Sequence, residues 1–147
     1  MKKWARHWIL LSKKYKLLKM MRQLSKKHKD NWTLHDKYVD VKLSRRKRHQ
    51  RVYLRLIGQY YFFVSVVMGG SAVTKNDRNW SDLALMAWRR NADHEIVNFA
   101  FDKKDRLVGV IRHPAEYLDP EELELYITTL TYECDRFEYL ISGSDRF

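Results

Sequence analysis

One cysteine, two prolines and five glycines in 147 residues leave little from which to build cross-links, breaks or linkers. A single Cys134 excludes an intramolecular disulfide and any metal site made of several cysteines. It fits a reducing compartment, and a cytoplasmic location is expected. Nothing reads as a linker and no internal repeat is present, so one domain is expected. No run approaches the ~20 apolar residues that a membrane-spanning helix needs. The basic start Met1-Lys2-Lys3-Trp4 precedes a short apolar run, Trp8 to Leu11. That run falls below the roughly 7–15 residues of a signal-peptide core and no small-residue cleavage site follows, so the start is read as mature protein.

Catalytic patterns are also missing. There is no G-x-S-x-G, no phosphate-binding glycine loop, no dinucleotide fingerprint and no Cys-x-x-Cys. His7, His28, His35, His49, His94 and His113 are scattered, with no His-x-x-x-His pair to hold a metal. Asp93-His94-Glu95 could be imagined as an acid/base or metal site, but a surface turn explains it better. Glu121, Glu122 and Glu124 open a helix, where the dipole accounts for carboxylates without a cation. The expectation is a protein that is not an enzyme, with no cofactor and no metal.

Acidic residues are scarce in one half only. Residues 1–60 hold 19 Lys and Arg against 3 Asp and Glu, whereas residues 114–147 hold 2 against 9. The whole chain carries +11. Such asymmetry points to an anionic partner for the front half, or to an acidic face on another copy of the chain. A solvated basic helix beside a solvated acidic one explains it equally well.

What is present is globular: 45% hydrophobic and 14% aromatic residues. From about 3 to 28 the chain reads as helix, with Trp4, Trp8, Leu11, Tyr15 and Leu18 on one face and Leu17, Met21 and Leu24 on another. The split predicts a kink or break near Ser12. Alternation then predicts strands around Val39-Val41-Leu43, Val52-Leu54-Leu56 and Tyr60 to Met68. A turn at Gly58-Gln59 joins the last two, and Gly69-Gly70 ends the third. A helix follows from about 79 to 91, then a hairpin around the polar turn Asp102-Lys103-Lys104-Asp105. The last helix is announced by Asp119 as N-cap, Pro120 at the first position and Glu122 three residues after the cap. Its stripe runs Leu123, Tyr126, Ile127, Leu130, Cys134, Phe137 and Ile141, with Gly143 suited to the C-cap. The fold class is therefore α+β: two layers, an antiparallel five-stranded sheet with helices, in the order α-βββ-α-ββ-α. Residues 1–31 form the basic helix, which is read as an extension of the domain at 32–147.

This order resembles the type III secretion chaperone-like fold and its YbjN-like relatives. The local sequence is similar too, over about residues 32–145: Arg51-Val52-Tyr53-Leu54, Trp88-Arg89-Arg90-Asn91, Asp119-Pro120-Glu121-Glu122-Leu123 and Glu133-Cys134-Asp135-Arg136-Phe137-Glu138. The resemblance implies a homodimer that binds another polypeptide, with the second helix (Trp80, Leu83, Ala84, Ala87, Trp88) contributing to the dimer. Those chaperones are typically acidic, whereas this chain is basic.

Two kinds of partner compete. A protein partner, acidic or partly unfolded, is expected to meet Trp4, Trp8, Tyr15, Tyr61 and Phe63, since aromatics dominate binding energy at interfaces. The alternative is nucleic acid, held by the basic hairpin residues Arg45, Arg46, Lys47, Arg48, Arg51, Tyr53 and Arg55, and by the basic first helix. A membrane-surface role for that helix ranks below both.

Overall fold

The computed structural model describes residues 3–44, 48–75, 80–93 and 96–142. Ten elements follow in order: α1 (Lys3–Lys27), β1 (Trp32–Leu34), β2 (Tyr38–Lys42), β3 (His49–Ile57), β4 (Tyr60–Met68), α2 (Gly70–Lys75), α3 (Trp80–Asp93), β5 (Asn98–Phe101), β6 (Leu107–Pro114) and α4 (Pro120–Ser142). The sheet is antiparallel throughout, in the order β1-β2-β3-β4-β6-β5.

The sheet has six strands, not the expected five. The added strand β1 is three residues long, too short to show alternation. It exists because Trp32–Leu34 pairs with Val39–Val41 across a tight hairpin. A short helix, α2, also follows β4, where Gly69-Gly70 was expected only to end the strand. Gly70 opens it for a steric reason: a Cβ there would stand 2.6 Å from the Lys104 carbonyl oxygen.

The expected break near Ser12 does not occur. α1 is continuous, and the Ser12 hydroxyl donates to the Ile9 carbonyl at 2.8 Å without opening the helix. The two apolar stripes have different fates. Leu17, Met20, Met21 and Leu24 are buried, while Trp8, Leu11 and Tyr15 point outward. Only one stripe can face the sheet.

The alternation of β4 decides the layers. Tyr61, Phe63, Ser65 and Val67 are buried beneath the helices, and Tyr60, Phe62, Val64 and Val66 lie half-buried on the other face. α4 supplies the opposing layer with Leu123, Ile127, Leu130, Cys134, Phe137 and Ile141. Its start is the expected capping box: the Glu122 N–H donates to Asp119 Oδ1 at 2.8 Å, and the Asp119 N–H donates to Glu122 Oε2 at 3.3 Å. Gly143, its expected C-cap, lies outside the described residues.

Two of the hairpin turns follow from local chemistry. Gly58 takes the positive φ of 61° that a two-residue turn between Ile57 and Tyr60 requires. In the β5–β6 turn, Asp102 Oδ1 accepts the N–H groups of Lys104 and Arg106, and Oδ2 accepts the Arg106 guanidinium. Burial alone would raise the Asp102 carboxyl; these bonds outweigh it and hold it below the usual carboxylate range.

The β5 edge is closed from within. The Asn91 side chain at the end of α3 donates to the Phe99 carbonyl at 2.9 Å and accepts the Phe99 N–H at 2.6 Å. One amide thus occupies both outward backbone groups of that residue, much as a neighbouring strand would.

Candidate functional site

α1 and the free end of β3 enclose a cleft of about 770 Å³. Its walls are Leu10, Leu11, Leu17 and Leu18 from α1 and Leu54 and Leu56 from β3. The β1–β2 turn closes one end with Leu34, His35, Asp36 and Lys37. Leu10 and Leu11 are 40% and 46% exposed, far more than the core stripe of the same helix. α1 is held over the sheet by the Tyr61 hydroxyl, which donates to the Lys13 carbonyl at 2.6 Å.

The backbone of the cleft floor is as informative as its side chains. β2 and β3 pair only as far as Tyr38 opposite Tyr53. The bonds Leu43 N–H to Arg48 C=O and Leu54 N–H to Lys37 C=O show which β3 residues face β2: the even-numbered ones. By the same alternation Leu56 turns its N–H and C=O to that side, one step beyond the end of β2. β3 therefore presents a short open strand edge inside an apolar cleft. Lys14 and Lys37 stand at its margin, against one acid, Asp36; Arg55 also borders it, but the alternation of β3 turns its side chain to the opposite face.

α1 is clamped at its other end. Glu124 of α4 accepts Lys27 Nζ at 2.8 Å and His28 Nε2 at 2.5 Å, and the His28 ring stacks on Trp32 with centroids 4.5 Å apart. The hydrogen bond from Lys27, aided by His28, holds the Glu124 carboxyl below the usual carboxylate range against the opposing effect of partial burial. A carboxylate with a depressed folded-state pKa adds stability above its unfolded pKa and loses it as pH falls through the folded one. The protein should therefore lose more stability than Glu124→Gln as pH drops from about 5 to 3. Parallel thermal melts of the two proteins across that range would show equal losses if the clamp is not formed.

The opposite face of the sheet is a second surface. Tyr38, Tyr53, Arg51 and Arg55 share it with Tyr60, Phe62 and Arg112, because the register sets Tyr38 opposite Tyr53, Arg55 opposite Phe62, and Phe62 opposite Arg112. The guanidinium of Arg112 lies 3.8 Å from the Tyr60 ring centre, and that of Arg51 lies 5.1 Å from Tyr38. Tyr38 also stacks on His35 at 4.5 Å and meets Tyr53 at 5.3 Å.

The expected contact residues separate accordingly. Tyr61 and Phe63 are fully buried, since odd positions of β4 face the helices, so they form core rather than a contact surface. Trp8 and Tyr15 are each 66% exposed. The Trp4 side chain lies outside those described. In α3, Leu83 and Ala87 are buried, while Trp88 is exposed and Trp80, also exposed, touches Phe101 at 5.0 Å. Ala84 is half-buried. Of the basic hairpin, Arg45, Arg46 and Lys47 lie outside the described residues. Arg48 turns inward, its Nε 3.1 Å from Asp135 Oδ1 and its second terminal nitrogen 2.6 Å from Glu138 Oε2, so it is a structural ion pair rather than an anion contact. Arg51, Tyr53 and Arg55 remain at the surface.

Sequence reasoning missed the cleft leucines and Arg112. Leu17 and Leu18 fall on different apolar stripes of the helix, and Leu54 belongs to a strand far along the chain. Their one advance signal was an apolar excess in the first helix beyond what a single stripe can bury.

Cys134 is fully buried, and desolvation pushes its thiol up to about 12. Among the described residues no group of three His, Cys, Asp or Glu could hold a metal ion, and no helix is long and apolar enough to cross a membrane.

No family profile and no curated protein matches the sequence. Solved structures do match. One, the ExsC–ExsE complex, aligns with a TM-score of 0.62 at 14% identity over 88% of this chain and 97% of the other. YbjN from E. coli, described as a putative transcription regulator, gives 0.58 at 14% identity over 86% and 91%. The HopA1–SchA chaperone–effector complex gives 0.57 at 10% identity over 83% and 92%. The chain has the type III secretion chaperone-like fold, shared with YbjN.

Proposed function

We propose that this protein is a non-enzymatic, chaperone-like or adaptor protein that binds an extended segment of another polypeptide in the cleft between α1 and β3. The open edge at Leu56, set among leucines, carries this reading. An extended segment would hydrogen-bond to that edge and place alternate side chains against α1, the mode known as strand addition. The neighbours described as an ExsC–ExsE complex and a HopA1–SchA chaperone–effector complex support a protein partner. Lys14 and Lys37 favour a segment in which acidic residues alternate with apolar ones. The excess of positive charge suits such a partner in the cytoplasm.

A peptide selected for binding from a randomised library tests this. It should slow hydrogen exchange across Leu54–Gly58, and Leu10→Glu with Leu11→Glu should abolish binding while leaving the thermal melt intact. Tight peptides that leave exchange in that segment unchanged would sink the proposal.

The same reading includes a homodimer through α3, on which Trp80, Leu85 and Trp88 are large apolar side chains left exposed. Sedimentation should give a dimer that Trp88→Glu converts to monomer. A wild-type monomer at high micromolar concentration would refute it.

Nucleic acid held by the hairpin tip and first helix is the second reading from sequence. Of the residues expected to serve it, Arg48 is taken up by the ion pair with α4, whereas Arg51, Tyr53 and Arg55 stay accessible on the outer face of β3.

A further inference from the structure

We infer that the sheet face turned away from the helices is a binding platform for single-stranded nucleic acid, centred on Tyr53, Tyr60, Phe62, Arg51, Arg55 and Arg112. This goes beyond the polypeptide cleft and does not depend on it, because those side chains stand on the other side of β3 and β4.

Two kinds of group coincide here, and single strands need both. Rings on three adjacent strands, Tyr38 and Tyr53 on β2 and β3 and Tyr60 and Phe62 on β4, lie half-buried on one face. Half-burial fixes each ring; Tyr60 already carries the Arg112 guanidinium at 3.8 Å and Tyr38 the His35 ring at 4.5 Å, so Tyr53 and Phe62 are the rings on which bases are expected to stack. Base–aromatic stacking of this kind is sequence-tolerant, because every base has a π-face. Guanidiniums are interleaved with the rings, not gathered at one end. Arg55 is opposite Phe62, and Phe62 is in turn opposite Arg112. All three arginines are exposed. Asp40 is the acid on this stretch of the face, and it is already engaged by His49 at 2.6 Å and by Arg51 at 3.5 Å.

The charge is therefore positive and set beside stacking surfaces. An acidic polypeptide would use the arginines but gain little from the ordered rings. A duplex would use the arginines but keep its bases paired and out of reach. A single strand uses both. The strand addition proposed for the cleft needs an open edge, which this face does not supply.

The test uses the full-length protein and a labelled single-stranded uridine oligomer of about a dozen nucleotides, a length within the usual site size. Fluorescence anisotropy should show binding that weakens with salt. Tyr53→Ala with Phe62→Ala should lower affinity about 30-fold or more, the effect of two lost stacks at ~1 kcal/mol each. Arg55→Gln with Arg112→Gln should reduce the logarithmic salt slope by about 1.4, since each phosphate contact contributes about 0.7 for a single strand. Tyr53→Leu with Phe62→Leu, which keeps apolar bulk on the strands, should lose affinity like the alanine pair while melting like the wild type. Leu10→Glu with Leu11→Glu, which damages the cleft, should leave oligonucleotide binding unchanged. The inference is overturned if no binding occurs at low salt. It is equally overturned if polyglutamate binds as tightly as the oligomer and both ring variants bind like the wild type.

Discussion

Arg48→Met is expected to cost about 3–5 kcal/mol of folding stability. Arg48 leaves the β2–β3 loop and enters the layer between sheet and α4, where it is 9% exposed. There it meets Asp135 and Glu138 on successive turns of α4, and Glu138 is itself buried. Removing the guanidinium leaves a buried carboxylate with its principal countercharge gone. Such a loss is dearer than the intact pair is valuable, because desolvation of the remaining charge is no longer offset. The reverse experiment follows from the same reasoning. Arg48→Met combined with Glu138→Leu should recover most of the loss, as apolar groups of similar volume need no partner. Urea unfolding of the three proteins decides the matter. A single-variant loss below about 1 kcal/mol, the range of surface ion pairs, would mean that water reaches this cluster freely.

Gly109→Ala should cost about 1–3 kcal/mol through overpacking. Gly109 sits mid-strand in β6, and a Cβ built there would lie 2.5 Å from Cys134 Sγ, 3.0 Å from Leu130 Cδ1 and 3.3 Å from Phe99 Cε1. Two of those atoms belong to α4. The glycine is what lets that helix approach the sheet, and Cys134 fills the space. The distinguishing measurement is a double-variant cycle. In a Cys134→Ala background the sulfur is gone, and the added methyl of Gly109→Ala should be tolerated at less than half its original cost. Strictly additive losses would show that the obstruction lies elsewhere, since neighbours that share one clash cannot act independently.

Both predictions concern α4, the element most legible in the sequence. Its capping box, proline and apolar stripe are all local, and local signals survive without knowledge of the rest of the fold. The hairpin turns were readable for the same reason, because Gly58 and Asp102 act on their own backbone. β1 was not readable: three residues carry no period, and they become a strand only when β2 offers a partner. The fate of Tyr61 and Phe63 was equally hidden. An apolar run on both faces of β4 says that both faces are covered or sticky, but not which one receives the helices.

The charge of Arg48 shows the limit most clearly. In sequence it belongs to a run of four cations, and such a run reads as one anion-binding unit. In three dimensions the strand geometry points this one inward, to carboxylates nearly ninety residues away.

Sequence alone determined the class of the fold, the order of most elements, and the imbalance between a basic front and an acidic last helix. Those properties are set by periodicities and compositions that each segment carries by itself. Tertiary structure decided which apolar stripe of α1 is buried, where β2 stops short of β3, and which arginines share a face with the tyrosines. Each of these depends on the register and packing of segments distant in the chain, and no local pattern encodes a distance between them.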